Sequence, residues 1–365
     1  MNAEQRLDQL ESFLAHDPGN ATLLSEAVQQ AIQAGLPERG RRLLDASQAE
    51  STLRRHLDAS ILIADGHFEA AAAVLAVLLD EGREDAGILF NLGYAQFGAG
   101  TPEAAVQTFS ALVSRDDAPE HTLVWLLRAL HHAGLPADAI AAWNAAPTRL
   151  RGAEAAGIAA LACLDVDDFE GARRLSAGAL AAGSTSTEAL VAAATLAIAD
   201  DDLDAAMTHL DSAGAEPKDG RLLATRAIAW MARGDLAQAE QTFNHAVATG
   251  TRHLGTWHAL AWCQIAGGRV DAARRTLETA LGMDRNFAET HGALAVVAAL
   301  QGRSEAAHEA IARAQRLDRE SLSWRYAEVL LSGQAHDPAV VRGLARQMLG
   351  RQRNGDAVSL ARRLE

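Results

Sequence analysis

The chain has 365 residues, of which 49% are hydrophobic and only 4% aromatic, and 47 acidic against 33 basic side chains leave a formal charge of −14. That balance argues against nucleic acid as a partner, because a polyanion-binding surface needs concentrated cations to release counterions, whereas Lys218 is the only lysine and the arginines are interleaved with acids. Cys163 and Cys263 are too few for a disulfide framework and sit among apolar neighbours, as small core residues of a reducing compartment do.

Alanine and leucine dominate the chain from end to end, which favours helices, since alanine loses no side-chain entropy in a helix and leucine little. No stretch shows the sustained β-branched alternation of a strand. Met1 to Leu10 carries charges where a leader would need an apolar core, and no apolar run approaches the ~20 residues of a membrane span, so a cytoplasmic location is expected. Glu4 to Ala15 reads as a leading helix closed by the junction Asp17-Pro18-Gly19-Asn20, and the Asn20-Ala21-Thr22 sequon is then fortuitous.

From there the chain breaks at Gly35, Gly66, Gly100, Gly134, Asp167, Asp201, Gly234, Gly268 and Gly302, with gaps of 31, 34, 34, 33, 34, 33, 34 and 34 residues. Glycine accepts positive φ without steric penalty, and aspartate is among its better substitutes. Five residues after each break comes a small residue, Gly40, Ala71, Ala105, Ala139, Ala172, Ala206, Ala239, Ala273 or Ala307, which implies close helix approach. Four further on comes Leu44, Leu75, Phe109, Trp143, Ser176, Leu210, Phe243, Leu277 or Ile311, bulky in every unit except that of Ser176. Upstream of each break a second stripe recurs, with Leu24, Leu89, Leu123, Leu190, Leu223 and Trp257 eleven residues before it. Spacings of three, four and seven keep such residues on one helix face, so each unit reads as two amphipathic helices joined by a tight turn. Ser321 to Leu331 begins like a tenth unit, Asp337-Pro338 interrupts it, and Ala339 to Leu349 and Asp356 to Leu364 read as terminal helices. The arginines of that last stretch, Arg342, Arg346, Arg351, Arg353, Arg362 and Arg363, read first as a solvated helix side and second as an anion or membrane contact.

Leu89-Phe90-Asn91-Leu92-Gly93 followed by Ala105 and Phe109, and Trp257-His258-Ala259-Leu260 followed by Ala273 and Ala280, carry the clearest units. Over roughly residues 4 to 320 the chain resembles the tetratricopeptide repeat family, whose 34-residue unit has a W-x2-L-G pattern, then a small residue, an aromatic and a closing proline. Met283 to Glu289 is similar to the family's junction between repeats, with arginine in place of the proline. No single helix pair can bury its apolar face alone, so stability must come from stacking. The expectation is an all-α, right-handed superhelical solenoid of about nine antiparallel helix pairs. Residues 1–20 would form an N-terminal capping half-repeat, 21–320 the array and 321–365 a C-terminal helical cap, one of them with a possible self-association surface.

Chemistry-bearing patterns are sparse. The thirteen histidines are scattered, no His-Glu-x-x-His occurs, and Gly98-Ala99-Gly100-Thr101 lacks the Gly-Lys-Ser/Thr ending of a phosphate loop. No nucleophile elbow, paired-carboxylate motif or Cys-x-x-Cys is present. No catalytic residue, metal or cofactor is expected, and the chain does not read as an enzyme.

The resemblance implies that the first helix of each pair lines a concave groove holding a peptide or helix. Six residues before each break the sequence runs Gln29, Ser60, Tyr94, Arg128, Leu161, Thr195, Ile228, Trp262, Val296, and ten before it Ser25, His56, Phe90, Val124, Gly157, Val191, Ala224, His258, Gly292. Packing positions do not vary so in size and polarity, so these slots are expected to face the groove. Three before the break the residues are almost all apolar, with His131 the exception. Two clusters stand out as partner contacts: Phe90, Asn91 and Tyr94 with His121, Trp125, Arg128, His131 and His132, and a smaller pair, His258 and Trp262. Aromatics and arginine concentrate binding energy; the competing reading is that these rings fill gaps between thin alanine-rich helices. Family members that grip the carboxylate tails of Hsp70 or Hsp90 line the groove with lysines and asparagines, and Asn91 with Arg128 does not suffice for that role. A mostly apolar groove suits a hydrophobic segment or amphipathic helix. The expected function is a protein-binding adaptor or chaperone, of bacterial origin by its arginine-for-lysine bias. The alternative is a non-catalytic regulatory or substrate-presenting subunit of an enzyme, such as a glycosyl- or sulfotransferase, acting in trans.

Overall fold

A computed structural model describes residues 2–214 and 219–333 of the chain. The expected terminal helices after Asp337-Pro338, their arginines and Lys218 lie outside the described residues. Among the described residues there are twenty α-helices, one short 3-10 turn (Thr148–Leu150) and no strand. The chain is all-α.

The helices divide into two compact units, one up to Ala162 and one from Cys163 onward. The first contains α1 (Ala3–His16), α2 (Ala21–Gln33), α3 (Pro37–Ala46), α4 (Ser51–Ala64), α5 (Phe68–Asp80), α6 (Ala86–Gly98), α7 (Pro102–Val113), α8 (Thr122–His132), α9 (Pro136–Ala145) and most of α10 (Ala153–Asp165). The second contains the end of α10, then α11 (Phe169–Ala181), α12 (Thr187–Ala199), α13 (Leu203–Asp211), α14 (Gly220–Ala232), α15 (Leu236–Ala248), α16 (Leu254–Ala266), α17 (Val270–Met283), α18 (Ala288–Leu300), α19 (Ser304–Leu317) and α20 (Ser323–Leu331).

Even-numbered helices open each pair and odd-numbered ones close it, and the turn between them has one construction. All nine break residues have positive φ, from 60° at Asp167 to 82° at Gly234. The next residue's N–H then reaches back to a carbonyl five positions earlier, as in Leu36 to Ala31 (2.9 Å), Thr101 to Gln96 (3.0 Å) and Arg303 to Ala298 (2.9 Å). The break residue itself bonds three back, Gly100 to Phe97 at 3.0 Å. Together these form the Schellman closure, which satisfies carbonyls a helix end would otherwise leave bare. The following helix starts at once, with proline in its first turn at Pro37, Pro102 and Pro136, with an aspartate cap at Asp168, Asp202 and Asp235, and without either at α5, α17 and α19. Between pairs, Asn20 caps α2 by accepting from the Leu23 N–H at 3.0 Å, while its own amide donates to Asp17 at 2.9 Å.

Packing follows the small and bulky slots. Ala71, Ala105, Ala139, Ala172, Ala206, Ala239, Ala273 and Ala307 have no exposed surface, and the bulky positions beside them are buried as well. Ser176, the small residue in a bulky slot, is buried, and its hydroxyl donates to the Arg173 carbonyl at 3.3 Å. Close approach shows at Gly93, where a Cβ would fall 2.8 Å from the Phe109 ring, and at Gly98, where it would fall 2.5 Å from the Phe68 ring. Successive clusters of this kind form a layered core within each unit, Leu7 to Ile61 and Ala59 to Ala95 in the first, Leu223 to Cys263 and Ala261 to Val297 in the second. The last described helix, α20, packs on α18 through Ala295, Val296 and Ala327. No helix among the described residues is long and apolar enough to cross a membrane.

Candidate partner-binding surface

Within the first unit, the opening helices α4, α6, α8 and α10 carry side chains that join one helix to the next. The Asn91 amide on α6 donates to the Ser60 hydroxyl on α4 at 3.2 Å and lies 3.1 Å from His56 Nε2. An amide N–H needs an acceptor there, so the imidazole is neutral with its proton on Nδ1. Burial, which pushes the His56 pKa below its ordinary value against the pull of Asp85, favours the same state.

One turn further on, Tyr94 meets Trp125 of α8 edge to face at 4.6 Å between ring centroids. Trp125 also meets Phe97 at 5.5 Å, and Phe97 meets His132 at 5.0 Å. Edge-to-face geometry sets the positive rim of one ring against the negative face of another. The Arg128 guanidinium lies 5.0 Å from the Trp125 ring centre and pairs with Glu154 of α10 at 2.9 Å. A cation over an indole face and beside a carboxylate is held in place twice.

The structure thus joins Tyr94, Trp125 and Arg128 directly and links His132 to Trp125 through Phe97, while Asn91 reaches back to α4. Phe90, half-buried like Tyr94, has its ring 5.8 Å from that of the fully buried Phe109. His121 is exposed at the N-cap of α8, where it makes no side-chain capping bond. His131, half-buried, meets His132 edge-on at 5.9 Å. The slot ten before each break is closed at Val124, Gly157, Val191, Ala224 and Gly292, all buried, so it is not a uniform groove face. The slot six before is more open: Tyr94, Arg128, Thr195 and Trp262 are half-buried and Ile228 is 41% exposed.

In the second unit, His258 Nε2 lies 2.8 Å from the Thr290 hydroxyl and its ring 5.4 Å from Phe287. Burial lowers its pKa, against the pull of Glu289. Trp262 meets Tyr326 of α20 at 6.2 Å, both packing on a cluster that contains Val296. His258 and Trp262, one turn apart on α16, thus face different neighbours.

Burial pushes the Cys163 thiol up to about 11 and raises Cys263 as well, so neither is a ready nucleophile. Among the described residues no group of three or more His, Cys, Asp or Glu side chains could hold a metal ion.

His56, Ser60, Glu154, Thr290 and Tyr326 belong to these contacts but do not stand out in the sequence. His56 and Ser60 occupy the same two slots as Phe90 and Tyr94 one unit earlier, which is the one signal that could have found them.

Residues 230–295 match the family model described as tetratricopeptide repeat. None of the curated proteins matches the chain. Among solved structures, a human IFIT1 dimer with m7Gppp-AAAA is similar with a TM-score of 0.60 at 16% identity, over 94% of this chain and 90% of that one. A monomeric IFIT1 mutant with Gppp-AAAA gives 0.61 at 16% identity, over 98% and 95%. A tetratricopeptide repeat protein from Parabacteroides merdae gives 0.51 at 14% identity, over 67% and 98%. At such identities the likeness is one of fold.

Proposed function

We propose that this chain, a protein of tetratricopeptide repeats, is a non-catalytic adaptor or chaperone that holds a segment of a protein client along its opening helices. The observation that carries this reading is the line of half-buried side chains across four successive opening helices, from His56 and Ser60 through Asn91, Tyr94, Trp125 and Arg128 to Glu154. These side chains are fixed before any partner arrives, so little conformational entropy remains to be lost on binding. Their mix of ring faces, amide and paired charge suits an amphipathic segment, whose apolar side would lie on Tyr94 and Trp125. In the second unit, Ile228 and Trp262 occupy the corresponding positions of their own repeats. Residues 1–20 and 321–365 would cap the array, and the buried thiols suit the reducing cytoplasm.

The test is affinity capture from the source cell with the wild type beside a Tyr94→Ala/Trp125→Ala/Arg128→Ala variant, with circular dichroism to establish that the variant is folded. One abundant partner held by the wild type and lost by the folded variant is expected. An unchanged set of partners would refute the assignment of this face.

A further inference from the structure

Some arginines pair with carboxylates on neighbouring helices, Arg39 with Glu11, Arg55 with Glu81, Arg173 with Asp200 and Arg269 with Glu240, while others among the described residues, such as Arg42 and Arg313, pair with none. The turn from α19 to α20 gathers two of the unpaired kind beside a hollow. It encloses an open hollow of about 850 Å³ lined by Ala312, Gln315, Arg316, Leu317, Asp318, Arg319, Trp324 and Arg325. Arg316 and Arg319 are exposed, and among the described residues neither has an ion-pair partner within 4 Å. Arg325 stacks over Trp324 at 5.3 Å, and one of its amino groups donates to the Arg319 carbonyl at 3.4 Å. Asp318, the one carboxylate in the wall, accepts from the Glu320 N–H at 2.8 Å and is thereby turned to its own loop.

The wall is rigid. Glu289 of α18 accepts from the Leu322 N–H at 2.9 Å, from the Ser323 N–H at 3.3 Å and from the Ser323 hydroxyl. A Cβ on Gly292 would fall 2.8 Å from the Trp324 backbone nitrogen, so α18 and α20 lie almost in contact there. Trp324 Nε1 is buried without a hydrogen-bond partner, an uncommon state for an indole N–H. Leu317, 40% exposed, adds an apolar edge.

We infer that this hollow is a second docking site, separate from the opening-helix face, for an acidic peptide segment that carries a large apolar side chain. Its carboxylates would pair with Arg316 and Arg319, whose planar forks match that geometry, and its apolar side chain would lie against Leu317 and Trp324. A hollow of this size takes a short stretch of side chains rather than a whole element. Its concavity, and the burial of the Trp324 indole nitrogen, fit a peptide better than a lipid surface, into which an aromatic would have to project. The net negative charge of the whole chain disfavours an extended nucleic acid.

The experiment uses the full chain and a fluorescein-labelled peptide of alternating aspartate, glutamate and leucine, titrated by fluorescence anisotropy. Saturable binding is expected, weakened at least about tenfold by Arg316→Ser/Arg319→Ser and by raised salt. Both positions are exposed, so the variant should fold, which circular dichroism checks. The Tyr94→Ala/Trp125→Ala variant should bind this peptide like the wild type, which separates failure of this site from failure of the opening-helix face. Absence of saturable binding, or equal binding by the arginine variant, overturns the inference. Preferential binding of a uridine oligonucleotide, or of vesicles containing anionic lipid, overturns it in favour of a phosphate ligand.

Discussion

Tyr94 and Trp125, thirty-one residues apart on neighbouring opening helices, meet edge to face with ring centroids 4.6 Å apart and planes at 81°. The contact lies beside the half-buried Arg128, so one pair of rings joins two repeats and also shapes the surface offered to a partner. In an array stabilised only by neighbours, such a contact acts on the interface between repeats.

A double-mutant cycle between Tyr94→Leu and Trp125→Leu should therefore return a coupling of about 1 kcal/mol, the usual worth of an aromatic pair beyond its buried area. Urea unfolding of the four proteins measures it. Strictly additive losses would mean that the rings only occupy space.

Gly93 leaves no room for a methyl group against Phe109. Gly93→Ala should cost about 1–3 kcal/mol despite the better helix propensity of alanine. Phe109→Leu should be destabilising alone, yet Gly93→Ala should cost less in its presence. Thermal melts of the single and double variants decide this, and an equal cost in both backgrounds would refute the steric account.

Asp167 closes its turn at φ 60°, where seven of the nine turns use glycine. A side chain in this left-handed region carries strain of about 1–2 kcal/mol, less for aspartate. Asp167→Gly should raise stability by roughly 0.5 kcal/mol, net of the entropy glycine adds to the unfolded chain, whereas Gly134→Ala should lower it. A drop in melting temperature for Asp167→Gly would show that its carboxylate contributes more than its backbone costs.

His56 accepts from Asn91 as a neutral imidazole, and burial holds its pKa below the ordinary 6.5. Below 6.5 the unfolded chain takes up the proton before the folded one does, so stability is full above 6.5 and falls as the pH drops towards the lowered folded value. His258, beside Thr290, behaves in the same sense. Wild type should melt lower at about pH 5.5 than at about pH 7.5, and His56→Gln/His258→Gln should lose part of that difference. An unchanged difference in the variant would place the titrating groups elsewhere.

Repeat number, turn positions and the small and bulky slots were legible in the chain because each depends on spacing within one unit. A turn such as Gly100 needs positive φ, and Ala105 beside Phe109 needs close packing, whatever the neighbouring repeats contain. The composition of the surface was less legible. Phe90 and Tyr94 are four residues apart on one helix and both half-buried, yet the first meets Phe109 of its own pair and the second meets Trp125 of the next.

The amino-acid order by itself determined that the chain is helical, that it repeats about every 34 residues and which faces of each pair are apolar, since these follow from local propensity and helical periodicity. Only tertiary structure decided that Asn91 meets His56 and Ser60, that Arg128 reaches Glu154, and that Arg316 and Arg319 find no carboxylate while Arg39 and Arg173 do. Those partners lie on different helices, some of them more than thirty positions away in sequence. Their meeting depends on how each helix pair is rotated against the next, and that rotation is set by summed packing across the interface rather than by any local pattern.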